Sequence, residues 1–449
     1  MSALDTRAPA DLQDPDAPST GRWHPMTTIA FRFGYAYLLA FCLLFAQITF
    51  VFAGFIAHLL PDNAIMWQML AVEPIVAWVG RTIFGVDASL DVTSGSGDQA
   101  IIWLLVFTLL ILAAVATAAW SALDRGREHH RRLWAWSATA LRLFLGGQML
   151  FYGFAKFLPS QMSPPSLTAL LQPYGDFSPA SVLWLQVGSS PIYEILLGSV
   201  EVLGGVLLFV PRTATLGALV SFVAMVQVLI LNMTFDVPVK ILSAHLVLIA
   251  LVLLAPQMRN LFGLFVLQRP AAAVPPPQLF SRPRQKRIAA WVQVCLGIWV
   301  AIGAAYISWT GLHEYGARAP KPPLHGIWAV DDFRIEGRSS APLTTDPTRW
   351  QRLVFDTDGA ATVQMMDGAL HMLPAHVDEA SRSIEIPATP STRLPSATVR
   401  FDRPTDDRLR LDGTIDGAPT TVTLHRVDPN AFPLRSRGFH WIQEQPYFR

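Results

Sequence analysis

The feature that most constrains this chain is a series of long, almost uncharged apolar runs that dominate it up to about residue 310 and then stop. A helix needs about 20 mostly apolar residues to cross about 30 Å of hydrocarbon. Runs of that kind lie at roughly 31–57, 100–122, 133–157, 189–210, 214–234, 238–256 and 288–310. Beyond them, charge returns at ordinary density. Overall charged content is therefore only 15%, against roughly 25% in soluble domains. The fold class that follows is an α-helical membrane bundle of about seven transmembrane helices plus a C-terminal all-β antiparallel, barrel-like domain. The lipid bilayer is its first expected partner.

A formal net charge of +1 offers no basic surface, so nucleic acid is set aside as a partner. The two cysteines, Cys42 and Cys295, both sit in apolar runs, and no Cys/His spacing suited to a metal occurs. No metal site and no encoded redox cofactor are expected.

Residues 1–25 are polar and rich in Pro, Asp and Ala, which predicts a disordered cytoplasmic tail rather than a cleavable signal peptide. Residues 26–132 are expected to hold two transmembrane helices with an outer interfacial helix, because 64–84 is apolar but interrupted by Glu73, Pro74 and Arg81. A four-helix core at 133–267, a basic Pro-rich cytoplasmic linker at 268–287, a seventh helix at 288–310 and a linker at 311–324 follow. The β-domain occupies 325–449. Asp98 is the expected cap of the second span.

Arginine and lysine in short loops set orientation. The 124–132 loop carries Arg125, Arg127, Arg131 and Arg132, and the linker after the sixth span carries Arg259, Arg269, Arg282, Arg284, Lys286 and Arg287. The 159–188 loop has neither residue type. Seven spans with a cytoplasmic N-terminus satisfy this alternation. They place the protein in a bacterial inner (cytoplasmic) membrane with its β-domain periplasmic or extracytoplasmic.

Ionisable groups within hydrocarbon are costly and usually face a bundle interior or a cavity. Here they cluster: Arg142, Tyr152 and Lys156 in the third span, Glu194 and Glu201 in the fourth, Asn232 in the fifth, and Asp236, Lys240 and His245 around the sixth. Counting from the span ends puts Arg142 and Glu201 at one depth, as an expected ion pair. Glu194 and Glu201, seven apart, share a helix face. Tyr152, Lys156, Glu194, Asn232, Asp236 and Lys240 fall toward the outer half, which predicts a polar site opening outward. The competing reading is that these groups only hold helices together, with His245 a hydrogen-bonded core residue. Gly198, Gly204 and Gly205 are read as close-packing positions.

The segments LRLFLGGQMLFYGFAKF (141–157), EILLGSVEVLGGVLLFVPRTATLGAL (194–219) and LNMTFDVPVKILSAHLVL (231–248) resemble the DoxX-like family of four-helix membrane proteins. The resemblance rests on Arg142, on Glu201 with Gly204 and Gly205, and on the small-residue turn from Pro211 to Gly217. It implies a membrane component associated with redox systems, such as quinone-linked oxidation, working with redox partner proteins.

From 325 onward, short alternating segments are punctuated by Asp358-Gly359, Asp367-Gly368, Asp412-Gly413 and Asp416-Gly417, which reads as an antiparallel meander of about eight strands. Gly326-x-Trp328 resembles the opening motif of lipocalin-like barrels. Alternation leaves open whether the interior holds a ligand or is filled by side chains. The tail at 435–449, dense in aromatics, is expected to close the barrel mouth; the competing reading makes Trp441, Tyr447 and Phe448 a membrane-interface anchor.

The leading expectation is a subunit of a membrane redox system, with a quinone or similar head-group at the polar cluster. The alternatives are a transporter or lipid-handling protein, and a non-catalytic scaffold.

Overall fold

The computed structural model describes residues 23–124, 130–270, 278–388 and 395–448. Most of the predicted N-terminal tail, Arg125 and Arg127, and part of the basic linker lie outside the described residues.

The helical region comprises α1 (Pro25–Leu44), α2 (Ala46–Phe50), α3 (Trp67–Val79), α4 (Ala100–Leu123), α5 (Arg131–Phe157), α6 (Pro179–Gly188), α7 (Pro191–Phe209), α8 (Ala214–Thr234), α9 (Lys240–Leu254), α10 (Met258–Phe265) and α11 (Pro283–Glu314). Among the described residues, six helical segments are long and apolar enough to cross a membrane: α1, α4, α7, α8, the α9–α10 stretch and α11. They make the chain a multi-pass membrane protein. α5 is 27 residues long but carries arginine, glutamine and lysine, so composition alone does not mark it as a span. It packs against α1, α7, α9 and α11, and these neighbours cover its polar side chains.

The first span differs from the expected continuous helix. It breaks at Phe45 (ψ 90°), resumes as α2, and continues as a 3-10 helix over Val51–Leu59 with Gly54 in a left-handed conformation (φ 56°). α11 causes the second break. A Cβ on Gly54 would overlap the Trp299 ring, and a Cβ on Gly303 would overlap the Gly54 backbone. Only glycine at both positions lets the two chains approach this closely. The freed carbonyls find partners: Trp299 Nε1 donates to Phe52 O at 3.1 Å, and Gln148 Nε2 donates to Gln47 O at 3.1 Å. Irregular backbone at membrane depth survives only where such groups are satisfied inside the protein.

α3 has 13 residues, about 20 Å, too short to cross the hydrocarbon. It lies against α4 and is tied down by Glu73, which accepts from Leu90 N at 2.9 Å. Asp98 caps a different helix from the one expected. Its carboxylate accepts from Lys240 N (2.8 Å) and Ile241 N (2.9 Å), at the start of α9. The 91–99 turn folds across the α8–α9 connection, where Gly97 N also bonds Pro238 O. That long-range contact decides which free N–H groups the carboxylate meets.

The C-terminal domain is one ten-stranded antiparallel sheet. Its strands are β1 (Gly326–Ile335), β2 (Arg338–Ser339), β3 (Trp350–Phe355), β4 (Ala360–Met365), β5 (Leu370–Pro374), β6 (His376–Asp378), β7 (Ser383–Ile386), β8 (Ala397–Thr405), β9 (Arg408–Ile415) and β10 (Ala418–Val427). The order β5-β4-β3-β1-β10-β9-β8-β7-β6 leaves β5 and β6, adjacent in sequence, at the two edges, so the sheet curls into a nearly closed barrel. The strands beyond the expected eight are the short β2 and β6. Asp416-Gly417 turns tightly, with φ 51° and 81°, as a two-residue hairpin requires. Asp412-Gly413 is no turn: Gly413 lies inside β9, paired with Val399 and Thr420, where a Cβ would overlap Thr398 O.

Trp328, Trp350, Phe333 and Phe355, each no more than 1% exposed, fill the barrel interior together with leucine, valine and isoleucine from every wall. That resolves the open question in favour of a packed core. The tail does not close the mouth as expected: Trp441 (90% exposed) and Phe448 (93%) stand in the open.

The barrel is clasped to the helical region. Leu167 N donates to Asp356 Oδ2 (2.7 Å), Thr168 bonds Thr362 (3.1 Å) and Arg435 reaches Pro165 O (3.3 Å). Leu167, Leu170 and Leu171 pack onto Ile327, Val354 and Phe432.

A candidate intramembrane site at the broken helix

α5 and α7 meet through glycine. A Cβ on Gly198 would overlap the backbone of Phe157 and Gly153, one on Gly153 would meet Val202, and one on Gly205 would meet Leu150 and Gly146. This contact fixes the register. Phe157 is level with Gly198, Gly153 with Val202, and Gly146 with Phe209. In that register Lys156 faces Glu201, Nζ to Oε2 at 2.9 Å, with side chains only 8% and 6% exposed.

The expected Arg142–Glu201 pair is therefore absent. α5 has 27 residues and α7 only 19, so α5 overhangs its neighbour, and counting from span ends misaligns them by several turns. Arg142 lies beyond the end of α7 and bonds Gln293 of α11 instead.

Around the Lys156–Glu201 pair the network extends into the broken span. The Lys156 ammonium stands 5.6 Å from the centre of the Tyr152 ring. Gln47 Nε2, on α2 between the two breaks, donates to the Tyr152 hydroxyl at 2.7 Å. Gln68 Nε2 donates to Thr49 Oγ1 at 2.7 Å, joining α2 to the polar entry of α3. Gln148 is fully buried, and its Oε1 has no partner among the described residues. Glu194, 1% exposed, accepts from Met162 N at 3.0 Å through one oxygen while the other stands buried without a partner. Lysine has three N–H donors and one is spent on Glu201. The arrangement thus offers unspent donors and acceptors within a buried interior, where each is worth more than at the surface.

The structure brings together Tyr152, Lys156 and Glu201 of the predicted residues, with Glu194 two helical turns away on the same face of α7. It does not bring in the others. Asp236 and Lys240 pair at 2.9 Å and sit with Asp98 at the α9 cap. Asn232 bonds Ser243 at 3.1 Å and staples α8 to α9. His245 is a core residue: Nδ1 donates to Ile241 O (2.7 Å), Nε2 accepts from the Tyr37 hydroxyl (2.7 Å), and the ring stacks on Phe41 at 3.7 Å. Sequence reasoning missed Gln47, whose importance comes from the helix break. The available signal was a glutamine followed by Gly54 within an apolar run.

A second buried cluster went unpredicted. Arg32 of α1 donates to Ser121 Oγ (3.0 Å) and to Asp124 through O (3.0 Å) and Oδ2 (3.4 Å). It also touches His130 Nε2 at 3.2 Å and stands 5.4 Å from the centre of the Trp120 ring.

These features define a class: a multi-pass helical membrane protein with an enclosed charge pair beside a discontinuous helix and a packed β-barrel-like domain. Within that class, the chain belongs to the family of the uncharacterized protein YwoB of Bacillus subtilis (strain 168). The two are 32% identical over 136 residues, which is 28% of this chain and 80% of YwoB. No family model matches the chain, and no solved structure matches it.

Proposed function

We propose that this protein is a component of a membrane redox system that holds a quinone-type head-group between the broken first span and the α5–α7 pair. The observation that carries the reading is the connected set Gln47–Tyr152–Lys156–Glu201, with its unspent hydrogen-bonding capacity, at the helix break. The Tyr152 hydroxyl accepts from Gln47 and keeps its own hydrogen to donate, and Lys156 has further N–H groups. Together they suit a carbonyl oxygen, while Glu201 suits a proton acceptor. Electrons would come from a partner protein. The DoxX-like resemblance of 141–254 supports the same reading. The loop arginines support a bacterial inner membrane with the N-terminus inside and the β-domain outside.

Quinone extracted from protein purified out of native membranes tests this directly. Stoichiometric quinone that falls in Tyr152→Phe and Glu201→Gln supports it. Quinone at the level of the surrounding lipid, unchanged in both variants, sinks it.

The discontinuity of the first span favours a second reading, solute or ion translocation, because broken helices in transporters supply ligand groups at mid-membrane. Proteoliposome uptake that depends on Glu201 would favour transport over quinone binding.

A further inference from the structure

In the helical region, beside the 167–171 segment that contacts the β-domain, lies an open cleft of about 400 Å³. Its walls include Ala169, Phe177, Ala180, Trp184, Leu185 and Val237. That volume falls within the roughly 300–1,000 Å³ of small-molecule sites. The position is set by three elements: α6, the turn between the end of α8 at Thr234 and the start of α9 at Lys240, and the 169–171 segment. The cleft thus sits where apolar helices end, at the level where lipid chains meet head-groups. Ile192 (74% exposed), near the start of α7, and Met233 (62%), near the end of α8, show that apolar side chains face outward at this end of the bundle.

The polar side chains of the lining are already engaged. Ser181 is bonded through both its N–H and its hydroxyl to Ser178, and Trp184 Nε1 donates to Gln161 O at 3.2 Å. What remains for an occupant is aromatic and aliphatic surface. One wall, moreover, is held by the barrel. Ala169 follows directly on Leu167 and Thr168, which bond Asp356 and Thr362. The geometry points to a site for one hydrocarbon chain of a bilayer phospholipid, whose width is set by docking of the β-domain. This assignment does not depend on the redox reading.

The experiment uses the full chain in phosphatidylcholine vesicles containing a phospholipid with a diazirine on its acyl chain. After irradiation, adducts are mapped by mass spectrometry. Adducts should concentrate on residues 177–185 and near Ala169. Ala180→Trp, which fills the cleft, should lower them by about tenfold while leaving adducts on the exposed face of α4, at Leu112 and Val115, unchanged. Ala169→Trp fills it from the other wall and serves if the first variant does not fold. Asp356→Ala should lower adducts near Ala169 by releasing that wall. Equal labelling of the cleft with and without the filling tryptophan, or adducts confined to the outer faces of the spans, overturns the assignment. So does loss of adducts on α4 in parallel with those of the cleft.

Discussion

The two buried charge clusters lie at opposite ends of α5 and are built on different principles. His130 precedes its first turn and Lys156 lies in its last, about 39 Å apart along the axis. At the first end, the two terminal nitrogens of Arg32 engage Ser121, Asp124 and His130 beside the Trp120 ring, its Nε has no partner among the described residues, and Asp124 remains 23% exposed. At the other end, Lys156 and Glu201 are nearly sealed and share one hydrogen bond, and about two turns away along the same helices Gln148 Oε1 and Glu194 Oε2 are buried without a partner among the described residues. The first cluster shares its charge among several groups and ties α1 to the end of α4 and the start of α5. On the proposed reading, the sealed pair, with one shared hydrogen bond, keeps N–H donors for a ligand. Buried charge by itself therefore says little about function; the number of groups that share it says more.

The largest effect that tests this contrast is removal of one partner of the sealed pair. Glu201→Ala strands a buried ammonium and should cost about 3–5 kcal/mol, read as a lowered Tm and lost folded yield in detergent. Lys156→Met with Glu201→Leu should restore folding while leaving ligand binding abolished. Persistent instability of the double variant would mean the pair is structural like the Arg32 cluster.

Next comes Arg32→Ala. It should cost about 1.5–3 kcal/mol, because Asp124 can turn to water, and ligand binding at the far end should be unaffected. A change in quinone content in that variant would break the distinction between lock and site. Gly198→Ala should cost about 1–3 kcal/mol by overpacking α5 against α7. Since it spreads the sealed pair, ligand affinity should fall along with thermal stability; affinity unchanged at reduced Tm would show that the register matters only for folding.

The smallest expected effect lies at the barrel clasp. Burial lowers the pKa of His325, with Lys321 adding to the shift, while Asp356, 3.7 Å away, opposes it. A depressed histidine favours the docked state when neutral. Docking is then fully present above the unfolded value of about 6.5 and weakens as pH falls below it. The protection factor of Leu167 N, its exchange rate divided into the intrinsic rate at each pH, should fall over that window in the wild type and not in His325→Asn. A pH-independent protection factor in the wild type would remove His325 from the clasp.

Much of this was legible in the sequence, and the reasons differ by element. Hydrocarbon thickness imposes length and polarity on each span separately, so α4, α8 and α11 follow from composition. Strand alternation and Asp-Gly turns mark the β-domain because hairpins are local. Lys156, Tyr152 and Glu201 were recognisable because charge in hydrocarbon is costly wherever it sits. Asp98 was misassigned because its free N–H partners arrive from the α8–α9 connection, more than 100 residues away.

The sequence alone thus determined that the chain holds several long apolar segments, where it changes from helical membrane region to β-domain, and that Lys156, Glu194 and Glu201 are charged groups within those segments; it counted seven spans where six helices are long and apolar enough among the described residues, and it passed over Arg32. These are properties of single segments against a fixed solvent, lipid or water. Tertiary structure alone decided the partners. Helix register set by Gly153 and Gly198 gave Lys156 rather than Arg142 to Glu201. The close approach of Gly303 to Gly54 broke the first span and delivered Gln47 to Tyr152. Register and close approach depend on two helices at once, so neither helix encodes them by itself. The uneven run of apolar segments that constrained the fold held the charges; packing between those segments brought Lys156 and Glu201 together beside Tyr152.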